Sequence, residues 1–418
     1  MQKFVLNSYR GKFLNMEFLK IFDILYFCVI SGLFILFMSL RVNFTIILCA
    51  FTIFLAYYDF FFLKLKENLA YFEPFITSAL YDFFVLLLFS IAVFQVIKDR
   101  NINKSCLWVL LFVILLSLNG VLHYDLSSVV VGYRSYISIL LLSFSLVVCG
   151  RKVSLHRYMT FLITFIFIPN ITFALYQYLN YSSVEDFWFY SAYNDLNLEL
   201  FYWDFFRDDV IRPFGFFTST LGIGFLSLSV FMYSLTYNYK FRTIILILSL
   251  VAIYITGVRT FFLAGVLFIS LKFILSKDFP LKRTMLYLSV PLSFLITIAA
   301  ISYFSNDLSA LGRIYQWGEV ANFVFSNPIG TGIGIVGPGL TFWPDSQLIA
   351  FLYMGGALSL VLYLYFYNLL FQYSNSYHFA VSSSCVLFYL MLFQNIGFGF
   401  FWLFMIAIYF NSDNKVDL

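Results

Sequence analysis

The chain has 418 residues, of which 62% are hydrophobic and 11% charged, and its mean hydropathy is +0.90. Soluble globular domains carry about 45–50% apolar and about 25% charged residues, so a water-soluble fold cannot bury this much apolar surface. Twenty-five lysines and arginines against twenty-one aspartates and glutamates leave a net charge of +4, too little for the footprint of a nucleic-acid partner.

In chain order, apolar runs fall near 21–40, 44–63, 75–97, 106–122, 135–150, 158–179, 214–237, 243–257, 260–275, 284–303, 346–370, 379–395 and 398–411. A transmembrane helix takes about 20 apolar residues, so about twelve spans would consume roughly 240 and leave no room for a separate soluble domain. The expected fold class is all-α, a polytopic helical membrane protein with about twelve transmembrane helices. Residues 1–418 are expected to form a single integral membrane domain. The first run follows Lys3, Arg10, Lys12 and Lys20 and is long enough to act as a signal anchor.

Lysine and arginine in short loops orient the bundle. Arg151, Lys152 and Arg157 mark one cytoplasmic loop, Lys240 and Arg242 the next, and Lys277, Lys282 and Arg283 a third, with Lys415 on the C-terminal tail. This places 181–211 and 304–345 outside, together with the turn at 258–259. Near the N-terminus the parity does not close. A cytoplasmic N-terminus and a cytoplasmic loop at 98–104 need an even number of crossings, and three runs lie between them. Either one of the three is interfacial or re-entrant, or a long run crosses twice.

The two outer loops differ in character. Residues 181–211 are acidic (Glu185, Asp186, Asp195, Glu199, Asp204, Asp208, Asp209) and contain Trp188 and Trp203. Residues 304–345 hold a short amphipathic helix expected over 312–326, then Asn327-Pro328 and a glycine-rich stretch to Gly339. A long loop with its own helix points to function more than to mere connection. The glycine run either exposes backbone amides to an anion or supplies permissive hinging. Cys28, Cys49, Cys106, Cys149 and Cys385 lie in or beside apolar runs with no paired spacing, and His123, His156 and His378 share no metal-ligand pattern. No metal and no cofactor are expected.

Sorting the cations by side is more informative. After position 133 every lysine falls on or near the cytoplasmic side, whereas the outward-facing cations are arginines: Arg134, Arg207, Arg212, Arg259 and Arg313. Outer cations run against the positive-inside tendency and need a reason. Arginine in place of lysine suits forked recognition of a carboxylate or phosphate. Arg207, between Asp204 and Asp208, is expected to pair with them. Arg212, Arg259 and Arg313 each stand at a helix boundary beside Gly or Pro, or within one residue of one. Convergent arginines fit an anionic lipid head group, such as a diphosphate bridging a polyprenol and a sugar. Departure of that diphosphate builds negative charge that fixed guanidiniums stabilise in the transition state.

Three segments together are similar to the superfamily of O-antigen polymerases and O-antigen ligases of bacterial surface-polysaccharide assembly. Arg212-Pro213-Phe214-Gly215-Phe216-Phe217-Thr218-Ser219 resembles its R-x-x-G-x-F element opening a helix. Thr256-Gly257-Val258-Arg259-Thr260 resembles a T-x-S-R-T turn, with Val258 in place of the small hydroxyl residue. Gly312-Arg313, Trp317 and Asn327-Pro328-Ile329-Gly330-Thr331-Gly332-Ile333-Gly334 resemble R-x-x-x-W followed by N-P-x-x-G-x-G. Gly132-Tyr133-Arg134, Gln177 and the Gly355-Gly356 helix are weaker matches, and the resemblance spans about residues 120–410. Ligases of the superfamily carry a histidine ahead of the G-x-x-G helix. This chain has Asp345-Ser346 there and no histidine between His156 and His378, which favours the polymerase branch.

The resemblance implies a multi-pass protein of the bacterial inner membrane whose active site faces the periplasm. Its substrate would be an undecaprenyl diphosphate-linked oligosaccharide, and the glycan would pass to a hydroxyl of an incoming repeat unit. Membrane lipids are the other partner, and a chain-length regulator protein is a further expectation of the family. Asp345, Arg313 and Glu319 are the candidate catalytic residues, Asp345 as base or orienter of the acceptor hydroxyl with Glu319 as second choice. Arg134, Arg212, Arg259, Trp317 and Gln177 are the candidate substrate-binding residues. Each also has a plainer reading. Asp345 after Pro344 suits a helix N-cap, and Glu319 suits a pair with Arg313. Trp317, one turn beyond Arg313, suits an interface anchor, and Gln177 an interhelical hydrogen bond. Ligation to lipid A-core, another lipid-linked glycan transfer and transport are the competing functions. Transport predicts a polar path through to the cytoplasm and two related halves, neither of which the chain displays.

Overall fold

Apolar stretches of helix length have only one way to satisfy their backbone without water, and helix accounts for most of the structure. In the computed structural model the described residues are 44–68, 104–138, 153–191, 205–207, 210–276, 308–337, 339–372 and 378–399, with scattered positions in 82–93, 141–145 and 284–299. The elements are α1 (Phe44–Asn68), α2 (Lys104–His123), α3 (Leu126–Gly132), α4 (Leu155–Asn180), β1 (Phe206–Arg207), β2 (Val210–Ile211), α5 (Thr220–Thr236), α6 (Arg242–Ile255), α7 (Arg259–Ser276), α8 (Leu308–Ser326), α9 (Gln347–Gln372) and α10 (His378–Met391). The expected run 21–40, residues 400–411 of the expected run 398–411, residues 98–103 of the expected loop 98–104 and residues 277–283, expected to form a cytoplasmic loop, lie outside the described residues. Among the described residues one helix, α4, is long and apolar enough to cross a membrane, with 26 residues and an 18-residue stretch of mean hydropathy 1.8.

The chain divides into two compact units, residues Met1–Leu87 with Arg151–Ile223, and Leu88–Gly150 with Gly224–Leu418. In the first, α4 loosens into a π-turn over Ile163–Phe167 just before Pro169. Proline has no N–H to give to the carbonyl four residues back, which is that of Phe165. The Tyr57 hydroxyl of α1 supplies the missing donor at 2.7 Å. One turn earlier on α1, Thr52 Oγ1 meets the Tyr158 hydroxyl of α4 at 3.4 Å.

Beyond α4 the chain does not form an exposed acidic loop throughout. Phe187, Trp188, Phe189, Phe205, Phe206, Ile211 and Phe214 are buried in one cluster, tied by the short antiparallel pair β1–β2. The rings meet edge-on and tilted, as between Phe187 and Phe205 at 4.9 Å and Trp188 and Phe189 at 4.9 Å. Asp186 accepts the backbone amides of Ser182 and Ser183, which holds its carboxyl below the usual carboxylate range. Trp203 and the acidic residues Asp195, Glu199, Asp204, Asp208 and Asp209 lie outside the described residues.

Among the described residues of the second unit α7 packs against α10, and α9 lies against α2, α8 and α10. The end of α5 shows what its flanking cations do. Arg242 Nε donates to the Ser234 carbonyl at 2.7 Å, and Lys272 Nζ to that of Leu235 at 2.6 Å. Cations at a helix C-terminus satisfy orphan carbonyls and its partial negative charge. α9 is broken at Gly356, whose φ of 56° and ψ of −147° are not helical. The helix expected within 312–326 is α8, which starts four residues earlier, at Leu308.

Candidate functional site

The Arg212 segment sits in the first unit, between β2 and α5. Gly215 turns it with φ +62°, and a Cβ there would stand 2.7 Å from Asn170 Oδ1. Gln177 Oε1 accepts the amides of Phe214 and Gly215 at 3.1 and 2.8 Å, while its Nε2 donates to the Gly215 carbonyl at 3.0 Å. It also hydrogen-bonds the Tyr181 hydroxyl. Trp188 Nε1 donates to the same carbonyl at 3.1 Å, and Asn170 Oδ1 accepts the Phe216 amide at 2.9 Å. Gln177 is fully buried, and its two donors and two acceptor sites are all used. It clamps the segment's backbone. Arg212 is half-buried, and its amide donates to the Phe205 carbonyl at 2.6 Å.

The second unit gathers three other expected segments through residues the sequence reading did not single out. Gln394, buried just past α10, donates through Nε2 to Thr260 Oγ1 at 3.0 Å. Its carbonyl accepts the Gln347 amide at 3.1 Å. Gln347 Nε2 in turn donates to the Tyr136 carbonyl at 3.4 Å, and the Tyr136 hydroxyl to that of Pro344 at 3.5 Å. Tyr136 also hydrogen-bonds Asn395 and senses the charge of Asp345. Arg259 and Thr260 open α7, Ser346 and Gln347 open α9, and Arg134 lies on the π-turn Tyr133–Ile137 that continues α3. The segments of Arg134, Arg259 and Asp345 thereby form one hydrogen-bonded cluster. Arg259 and Asp345 are exposed and Arg134 is half-buried.

Asp345 is not the N-cap of α9. That place belongs to Ser346, whose Oγ accepts the Ile349 amide at 3.2 Å and donates to the Met391 carbonyl at 2.9 Å. Val258, standing where the resembled turn has a hydroxyl, is buried, and Gly257 takes the left-handed turn with φ +62°.

The glycine run behaves differently from an anion nest. The amide of Thr331 donates to the Tyr353 carbonyl at 3.3 Å, Gly332 to Met354 at 2.8 Å, Ile333 to Leu116 at 3.1 Å, and Gly337 to Phe342 at 2.9 Å. In return Ala357 donates to the Pro328 carbonyl at 2.9 Å. The break in α9 frees carbonyls, and the loop amides satisfy them. A Cβ on Gly332 or on Gly120 of α2 would strike the other strand's backbone, so both positions need glycine.

Arg313, Trp317 and Glu319 ride on α8. The Arg313 side chain lies outside the described residues, Trp317 is half-buried and Glu319 is exposed. Glu319 lies within electrostatic range of Tyr353 on α9, which stacks on Phe342 at 4.2 Å and meets Phe323 of α8 edge-on at 4.8 Å. Among the described residues no three His, Cys, Asp or Glu side chains gather to hold a metal ion. Compared with protein-family models, with curated proteins and with solved structures, the chain has no match in any of the three.

Proposed function

We propose that this protein is a membrane-embedded glycan polymerase of about twelve spans, with 304–345 as a long external loop. It would transfer oligosaccharide from undecaprenyl diphosphate to a hydroxyl of the next lipid-linked repeat unit, at the outer face of a bacterial inner membrane. The observation that carries the reading is the Gln394 cluster. Tyr136, two residues past Arg134, Thr260 of the turn 256–260, and Pro344 and Gln347 on either side of Asp345-Ser346 meet in it through hydrogen bonds. Sequence separations of 134 and 211 residues are bridged by two of those bonds.

In this reading Arg259 and Arg134 bind the diphosphate with Arg313, and Arg212, in the first unit, is read separately as a diphosphate ligand. Their charge is worth most as the leaving diphosphate gains its own. Asp345 is exposed beside the cluster, where a carboxylate can accept the proton of an incoming hydroxyl. Arginine binds the anion in a fork that lysine cannot reproduce.

The test is deletion of the gene in its native host and a gel of the surface lipopolysaccharide. Core bearing a single repeat unit without the ladder supports polymerisation, because ligation then still works. Bare core with accumulated lipid-linked polymer means ligation. An unchanged ladder refutes both for that glycan. Complementation with Arg259→Lys is expected to restore less than a tenth of the long polymer, about the loss of one preorganised transition-state donor or more.

A further inference from the structure

Asp59 belongs to no expected motif, and it stands among aromatic residues of α1, in Tyr57-Tyr58-Asp59-Phe60-Phe61-Phe62. An ionisable side chain in such a helix is costly and takes a specific partner. Its partner among the described residues is Thr218, whose Oγ1 donates to Asp59 Oδ2 at 2.8 Å. Thr218 is the last residue but one of the Arg212 segment. The last, Ser219, accepts the Leu221 amide on its Oγ at 3.2 Å just ahead of α5. A carboxylate at that end of α5 also meets the positive end of the helix dipole.

The same helix grips the segment twice more, through ring contacts of Phe216 with Tyr57 at 5.3 Å and with Phe60 at 4.9 Å. Gln177 and Asn170 fix residues 214–216 from α4. They leave the run from 217 to 219 to be fixed from elsewhere. Packing alone would be served by an apolar residue at 59, without the cost of burying a carboxyl. A hydrogen-bond acceptor aimed at Thr218 is what Asp59 adds.

We propose that Asp59 is a positioning residue for Arg212. It pins Thr218, so that the segment is held at both ends and the guanidinium keeps one aim. The proposal rests on the reading of Arg212 as a ligand of the substrate diphosphate.

The experiment uses the full chain with Asp59→Ala, Asp59→Asn, Thr218→Val and Thr218→Ser. Two readouts are taken at matched membrane abundance: polymer length in the complemented deletion strain, and hydrogen exchange of the 214–220 peptide in purified protein. Asp59→Asn and Thr218→Ser keep an acceptor and a donor, and both readouts stay within about twofold of the parent. Asp59→Ala and Thr218→Val raise exchange and cut long polymer about tenfold, the scale of a misplaced group. Added to Arg212→Lys, Asp59→Ala produces no further loss.

Unchanged exchange in Thr218→Val overturns the proposal, and that substitution keeps its value if Asp59→Ala fails to fold. Asp59→Asn as impaired as Asp59→Ala overturns it too, since the charge and not the hydrogen bond would then matter. Raised exchange with an intact ladder reduces Asp59 to cohesion and overturns the positioning role. An unaffected ladder on deletion of the gene instead defeats the glycan reading, and the exchange rates still decide whether Asp59 fixes the segment.

Discussion

The segment 212–219 of the first unit and the segment 327–337 of the second both hold irregular backbone in place, and they do so with different chemistry. The first has a single glycine and is held by long polar side chains, Gln177, Asn170 and Trp188, that reach to its amides and carbonyls. The second has Gly330, Gly332, Gly334 and Gly337 at positive φ and lies directly against α2 and the broken α9, amide to carbonyl. Side chains that bulky cannot be approached closely by another backbone, and glycines that bare have nothing to reach with. The carboxamide clamp tolerates a varied loop sequence but depends on a few residues. The glycine stitch depends on every position where two backbones touch.

The largest effect is therefore expected in the stitch. Gly332→Ala adds a Cβ against the Gly120 backbone at φ +90° and should cost about 3 kcal/mol or more, read as a drop in thermal midpoint and in membrane abundance. A midpoint within a degree of the parent would mean the two backbones are not in contact. In the clamp, Gln177→Leu leaves the amides of Phe214 and Gly215 without acceptors and should cost about 2–3 kcal/mol. If it costs less than Gly332→Ala and still raises exchange only around residue 215, the contrast between the loops is sharpened.

A smaller effect concerns the π-turn of α4. Tyr57→Phe removes the donor to the Phe165 carbonyl and should cost about 1 kcal/mol. Pro169→Ala restores an N–H to that turn, so the double variant should recover most of the loss; additive losses would refute the compensation. The smallest effect is on pH. Asp125 accepts hydrogen bonds from Ser127 and Ser128 ahead of α3, which lowers its pKa from 3.8 to about 2. A carboxyl depressed in the folded state contributes stability above its unfolded value and loses it as pH falls through the folded one. Protection of the Ser128 amide should thus hold above pH 3.8 and fade toward about pH 2. In Asp125→Ala it should be low throughout.

Composition and run length made the helical class legible, because apolar residues at this density leave helices as the way to satisfy the backbone. Motif spacing also singled out Arg212, Arg259, Asp345 and the Gly355-Gly356 helix as candidates. It missed Gln394 and Asn395, although a polar pair at the end of the run 379–395 was a visible signal. It left Gln177 between a ligand and an interhelical hydrogen bond, because a lone glutamine in a helix says nothing of whether it faces a cleft or a loop.

What the sequence by itself determined is local: where apolar runs begin and end, where a proline must disturb a helix, and which glycines have room to turn. The tertiary structure decided the partners. Gln394 with Thr260, Gln347 with Tyr136 and Asp59 with Thr218 are bonds between residues more than a hundred positions apart. Thr52, Ser145 and Ser384 instead donate to the carbonyl one turn back in their own helices. Only the packing of helices chooses between a bond to the carbonyl one turn back and a bond across the fold, since the two are alike in local energy and differ in what the neighbouring helix presents.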